Sequence, residues 1–170
     1  MIKRFVLLFV CTGNICRSPT AEGIMKDMVL DEAEHHRIIP MEILSAGINA
    51  PEGQPASRFA VEVAAEHGIS LNFHRARLFS PALAKYADLI LTMERYQTDY
   101  IRSHYPGVEQ VYKLKNYPRE ISSGYGYSDI PDPIGQSLDV YRAVFDEIKF
   151  EVERVSQIIF PLVLKTYGDV

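Results

Sequence analysis

The sequence predicts a doubly wound α/β fold: a single three-layer domain over 1–170 whose four-stranded, parallel, twisted sheet carries helices on both faces. Three observations lead there. Phe5 to Val10 is an unbroken apolar run, the pattern of a strand buried on both faces. Further strand-like runs alternate with stretches of helical periodicity, and that alternation builds a parallel sheet. With 170 residues, 47% hydrophobic and 24% charged, the chain can bury one core and has the make-up of a globular protein.

Each element has its own signal. After the first strand comes a turn containing Gly13, and Ser18-Pro19 then open a helix. Ser18 or a neighbour serves as its cap, Pro19 suits its first turn, and Ile24, Met25, Met28 and Val29 keep helical spacing until about His36. Met41 to Ala46 is the second strand, and Gly47 to Pro55, with two glycines and two prolines, is a surface loop. A helix over Ala56 to His67 points Phe59, Ala60, Val63 and Ala64 inward and stops at Gly68. Ser80-Pro81 begin a short helix, Asp88 to Met93 form the third strand, Glu94 to His104 a helix, and Gln110 to Leu114 the fourth strand. The stretch 116–133 is rich in Gly, Pro, Ser and Tyr and longer than a compact domain usually tolerates, so it reads as a lid. Leu138, Tyr141, Phe145, Ile148, Val152, Val155 and Ile159 then follow steps of three and four along an amphipathic helix that Pro161 interrupts.

Composition removes several functions. The net charge of −4 and the lack of a basic block argue against nucleic acid and against an anionic membrane surface. The longest apolar run, six residues, is too short for a membrane span or a signal-peptide core, so the expected compartment is the cytoplasm. The two cysteines, Cys11 and Cys16, share one short loop and cannot staple a secreted scaffold. No His/Cys/Asp cluster has metal-ligand spacing, so no metal and no cofactor are expected.

The chemistry concentrates between the first strand and the first helix, at the carboxyl end of the sheet where α/β folds bind ligands. The segment reads Cys11-Thr12-Gly13-Asn14-Ile15-Cys16-Arg17-Ser18. Unpaired amides and the positive end of a helix suit a tetrahedral anion such as phosphate. The same field favours a thiolate, which makes Cys11 a candidate nucleophile. Arg17 offers a planar fork for two phosphate oxygens, Gly13 permits a positive φ or a close backbone approach, and Ser18 can donate to the thiolate. A free Cys is also a small hydrophobe, but packing alone leaves Arg17 unexplained. A nucleotide-binding Walker loop is excluded by the missing Gly-Lys-Ser/Thr ending.

These residues, with Ser45-Ala46-Gly47, His74-Arg75-Ala76-Arg77 and Asp132-Pro133, closely resemble the low-molecular-weight protein tyrosine phosphatase family over nearly the whole chain. The resemblance implies Cys11 as the nucleophile that takes the phosphoryl group, Arg17 and the loop amides as its clamp, and Asp132 as general acid and base. It implies that Thr12, Gly13, Asn14, Ile15 and Cys16, with Ser18, Ser45 and His74, bind phosphate or shape the loop, and that Cys16 can form a protective disulfide with Cys11. A phosphotyrosine protein and a cognate tyrosine kinase are the implied partners of a monomeric enzyme. Read without the family, Asp132 before proline is an ordinary turn residue, and Asp129 is its rival as acid.

Two features divide the substrate reading. Ile134-Gly135-Gln136 after Asp132-Pro133, and Ala50 in the loop after Gly47, stand where tyrosine-specific relatives carry ring-stacking aromatics, and the run from Asp132 to Tyr141 looks like the protein arginine phosphatase branch. Ile15, in contrast, offers an apolar wall suited to a phenyl ring where arginine phosphatases carry Thr. Tyr125 and Tyr127 in the lid are candidates for an aromatic wall or for phosphorylation, beside the plainer reading as surface tyrosines. Phosphotyrosine is the main expectation and phosphoarginine the alternative. Arsenate reductases share the loop but relay electrons through later cysteines, of which this chain has none, and a purely phosphate-binding module would need neither nucleophile nor acid.

Overall fold

The computed structural model describes residues 3–119 and 128–168. Along the chain it orders β1 (Phe5–Cys11), α1 (Arg17–Glu34), β2 (Met41–Gly47), α2 (Arg58–Glu66), α3 (Pro81–Tyr86), β3 (Leu89–Thr92), α4 (Arg95–His104), β4 (Val111–Lys113) and α5 (Leu138–Tyr167). The strands lie in the order β2-β1-β3-β4, and every pairing is parallel.

Because side chains alternate across a strand, β1 feeds two cores. Leu7 and Phe9 face one layer, built from Ile24 and Met25 of α1, Val63 of α2, and Phe145, Ile148 and Val152 of α5. Leu8 and Val10 face the other, with Ala84 of α3 and Ile101 of α4. Both sets are fully buried, at about 1.5–3 kcal/mol per large side chain, so β1 is fixed from both sides and delivers its last residue, Cys11, to a rigid edge.

Serines define the starts of three helices. Ser57, Ser80 and Ser137 accept from Ala60 N (3.4 Å), Leu83 N (3.2 Å) and Val140 N (3.4 Å). The expected cap of α1 is different. Ser18 sits inside the first turn, Cys16 occupies the cap position, and the Cys16 side chain makes no capping bond.

Pro161 does not interrupt α5, which continues to Tyr167. The bond that proline cannot make would end on the carbonyl of Gln157, and both residues lie on the exposed face, where water can satisfy it, while Phe160 and Val163 stay buried beside them. The segment read as a lid is described only over 116–119 and 128–133, and Tyr125 and Tyr127 lie outside the described residues. Arg154 of α5 ties down the near end through Leu114 O (2.8 Å) and Tyr117 O (2.7 Å). At the far end Ile130 is fully buried and its amide donates to Met93 O (3.0 Å).

Candidate active site

Cys11 ends β1 and Arg17 begins α1, so five residues must turn the chain through roughly one tight loop at the carboxyl edge of the sheet. Asn14 makes the turn possible. Its φ is 54°, a left-handed conformation that Asn tolerates better than most residues, and its backbone N–H donates to Cys11 Sγ at 3.2 Å. The side chain of Asn14 is fully buried. Its Nδ2 donates to Ser18 Oγ and Ser45 Oγ, both at 2.9 Å, and its Oδ1 accepts from Arg77 N at 2.8 Å. His74 Nε2 donates to the Asn14 carbonyl at 2.6 Å, and Ser45 Oγ in turn donates to Glu22 Oε2 at 2.5 Å. Buried polar groups this well satisfied specify one arrangement of the loop.

Ser18 Oγ lies 3.0 Å from Cys11 Sγ, as expected of a thiolate donor. Gly13 departs from expectation. It is not left-handed, and a Cβ there would meet nothing nearer than Ile15 Cγ1 at 3.6 Å. The close approach belongs to Gly47, where a Cβ would fall 2.5 Å from Thr12 O and 2.9 Å from Asn14 N. Pairing of Cys11 with Gly47 in the β1–β2 register puts Gly47 directly under the loop.

Arg17 is only 2% exposed yet carries three acceptors. Its Nη1 bonds Glu94 Oε1 and Ile130 O (2.9 Å), and its Nη2 lies 3.2 Å from Asp132 Oδ2. Burial alone would lower its pKa, but Cys11, Glu94 and Asp132 together hold it above the usual arginine range. Asp132 is far more open, 42% exposed, and its Oδ1 accepts from Ile134 N at 3.2 Å in the turn that Asp-Pro predicts. Asp129 is engaged elsewhere, accepting from Arg95 N (3.0 Å) at the start of α4 and from Lys113 Nζ (3.2 Å). Cys16 turns away from the loop mouth: its Sγ donates to Ser57 Oγ (3.1 Å) and lies 3.4 Å from Tyr141 Oη, and burial pushes its thiol up from the ordinary value.

Thr12 is tied to α4 through Tyr96 Oη and through Gln97 Nε2 at 3.1 Å. The carbonyl of Ile15 accepts from Ser57 N at 2.7 Å, and its side chain is half-buried. The structure thus gathers every expected site residue into one constellation. It adds Glu94, Gln97, Glu22, Gly47 and Arg77, which sequence reading did not single out for these roles. Glu94 carried a usable signal, since it immediately follows the third strand at the ligand-binding edge of the fold.

Both cysteines are free thiols, and among the described residues no group of three His, Cys, Asp or Glu side chains could hold a metal ion and no helix is long and apolar enough to cross a membrane. A cleft of about 770 Å³ lies at the opposite, amino end of β3 and β4, among Pro81, Lys85, Asp88, His104 and Gln110, away from all these groups.

Residues 6–159 match the family described as low molecular weight phosphotyrosine protein phosphatase. The low molecular weight protein-tyrosine-phosphatase PtpB of Staphylococcus haemolyticus (strain JCSC1435) is 35% identical over 156 residues, covering 88% of this chain and 96% of that protein. The protein-arginine-phosphatase of Bacillus subtilis (strain 168) is 34% identical over 144 residues, covering 84% and 89%. Among solved structures, the YwlE arginine phosphatase from Geobacillus stearothermophilus superposes with a TM-score of 0.79 at 31% identity, over 95% of this chain and 96% of that one. A buried thiol and guanidinium at a helix N-terminus, on this sheet order and in this sequence company, place the chain in the low molecular weight phosphotyrosine protein phosphatase family, whose members are hydrolases acting on phosphoproteins.

Proposed function

We propose that the chain hydrolyses phosphotyrosine in proteins through a cysteinyl-phosphate intermediate, and the observation that carries this is the convergence of Cys11, Arg17 and Asp132 on one uncapped helix N-terminus. Cys11 Sγ attacks phosphorus, the bond from phosphorus to the tyrosyl oxygen breaks, and protonated Asp132 gives its proton to that oxygen. Water then attacks the cysteinyl phosphate, Asp132 as carboxylate takes the water's proton, and the sulfur–phosphorus bond breaks to release phosphate and thiolate. The Ser18 hydroxyl and the Asn14 amide donate to the sulfur as it regains charge. The Arg17 fork and the free amides of α1 hold the equatorial oxygens, where charge accumulates in a loose transition state.

Asp132 is favoured over Asp129 because its carboxylate stands 3.2 Å from Arg17, whereas that of Asp129 is bound to Arg95 N and Lys113. Ile15 favours an aryl substrate: an apolar wall suits a phenyl ring and leaves the guanidinium of phosphoarginine without a polar partner. The arginine phosphatase reading keeps one observation of its own, Ile134 and Ala50 in place of stacking aromatics. A cytoplasmic monomer goes with the proposal, since the nucleophile works only as a reduced thiol, and a tyrosine kinase is then the natural counterpart.

The experiment is kcat/KM, in EDTA, on matched peptides carrying phosphotyrosine or phosphoarginine, for the native chain and for Ile15→Thr. The expected result is a preference for phosphotyrosine that weakens in the variant. A native preference for phosphoarginine would transfer control of specificity to the run after Asp132.

A further inference from the structure

Three arginines stand at or next to residues that tie down the loop. Ser57 N donates to Ile15 O at 2.7 Å, and Arg58 is the next residue. His74 Nε2 donates to Asn14 O, and Arg75 is the next residue. Arg77 itself donates its backbone N–H to Asn14 Oδ1. The Arg77 backbone is thus bonded to Asn14 directly, and Arg58 and Arg75 each follow a residue that bonds a loop carbonyl. Their side chains are exposed, and none has an ion-pair partner among the described residues. Arg58 lies over the ring of Phe59, and Arg75 donates only to the carbonyls of Asn72 (3.3 Å) and His74 (2.7 Å). Glu52 shares this strip, with its Oε1 accepting from Leu78 N.

Three carboxylates of the site already have partners. Glu94, Asp129 and Asp132 are joined to Arg17, to Lys113 and to the start of α4. A chain of net charge −4 thus keeps three exposed arginines, without an ion-pair partner among the described residues, beside the residues that tie down its anion-binding loop. Exposed guanidinium groups attract and orient anionic partners, and they act mainly on encounter and on salt dependence. A phosphorylated side chain seated in the loop would bring its neighbouring residues near these exposed guanidinium groups.

We infer that Arg58, Arg75 and Arg77 form a docking strip for acidic residues flanking the phosphorylated residue of the protein substrate. The inference rests on the phosphatase reading above and narrows its substrate class to acidic phosphopeptides.

The test compares kcat/KM of the full chain on three substrates. These are p-nitrophenyl phosphate, which reaches only the loop, and two phosphotyrosine peptides of equal length, one with Asp and Glu around the phosphotyrosine and one with Asn and Gln. The acidic peptide is expected to be preferred about tenfold at low ionic strength, and the preference to shrink in about 0.5 M salt. The double variant Arg58→Gln/Arg75→Gln should lose most of that preference while turning over p-nitrophenyl phosphate at the native rate, and Arg58→Lys/Arg75→Lys should restore it. Arg77 stays unchanged because its backbone holds Asn14. Equal kcat/KM for the two peptides on the native chain, or a preference undiminished in the double variant, would overturn the inference. Should that variant fail to fold, the two peptides at two salt concentrations still decide on the native chain. No hydrolysis of p-nitrophenyl phosphate would instead sink the phosphatase reading, and the docking strip with it.

Discussion

The two halves of the site are held by opposite means. On the nucleophile side, Asn14, Ser18 and Ser45 are all 2% exposed or less, and their hydrogen bonds run to β2, to α1 and to the segment around His74. On the acid side, Asp132 is half-exposed, with one turn bond to Ile134 and one ion pair to Arg17. The first half is over-determined and dry, and the second is wet and lightly tethered. A nucleophile must meet phosphorus along one line, so rigidity serves it, while an acid that becomes a base must exchange protons with water between steps. Arg17 is the part common to both, since Asp132, Ile130 O and Glu94 all converge on its guanidinium.

The largest expected effect comes from the rigid half. Cys11→Ser should abolish steady-state turnover of an aryl phosphate while phosphate binding, read by isothermal titration, stays within a few-fold, because the amides and Arg17 remain. Retention of most of the activity would remove Cys11 from the mechanism. Next comes the open half: Asp132→Ala should lower kcat by roughly 10²–10⁴, with little change in stability, since its tethers are few. Asp129→Ala should do the reverse, costing about 0.5–2 kcal/mol in denaturant unfolding by uncapping α4 and unpairing Lys113, with kcat changed by less than about tenfold. If the two variants exchange these outcomes, Asp129 is the acid.

A smaller effect separates two glycines. Gly47→Ala forces a methyl group to within 2.5 Å of a loop carbonyl and should cost about 1–3 kcal/mol in unfolding free energy. It should also lower kcat/KM by displacing the loop, to the extent of about 10² for a shift near 1 Å. Gly13→Ala has room for its methyl group and no left-handed φ to strain it, so its unfolding free energy should move by less than about 1 kcal/mol. Equal stability losses would mean that the loop, not the strand beneath it, sets the spacing.

The same glycines explain what the sequence could convey. The strand, the turn and the helix start were legible because apolar runs, Pro19 and the Cys-to-Arg spacing are local signals. Which glycine lies against the loop was not, because that depends on Cys11 pairing with Gly47, thirty-six positions on, in the β1–β2 register. Glu94 reads in sequence as a residue at a helix start and acquires its role only when β3 sets it against Arg17. Asp132 and Asp129 could not be separated by composition, since what distinguishes them is which side of the segment reaches Arg17 and which reaches α4. Pro161 misled because a proline inside a helical pattern is costly only where the orphaned carbonyl is buried, and here that carbonyl lies on the solvent side.

The smallest effect concerns Cys16, and it links the dry half to oxidation. Burial raises its pKa, and it is held by Ser57 and by Tyr141, whose hydroxyl is itself pushed up to about 12 by burial and by Cys16. Cys16 is therefore a protonated thiol at neutral pH, and the disulfide implied by the family resemblance must form slowly there. Peroxide first converts Cys11 to a sulfenic acid, and Cys16 then attacks that sulfur, forming the S–S bond and releasing water. Only the thiolate attacks efficiently, so the raised pKa places the gain above neutrality: after a peroxide pulse, the yield of the Cys11–Cys16 disulfide by mass spectrometry should climb steadily from about pH 7 to pH 9. Tyr141→Phe removes a hydroxyl whose hydrogen bond favours the Cys16 thiolate, so it should lower the yield at pH 7 by a few-fold without changing kcat by more than about twofold. Sulfinic acid on Cys11 with no disulfide at any pH would show that Cys16 is a packing residue.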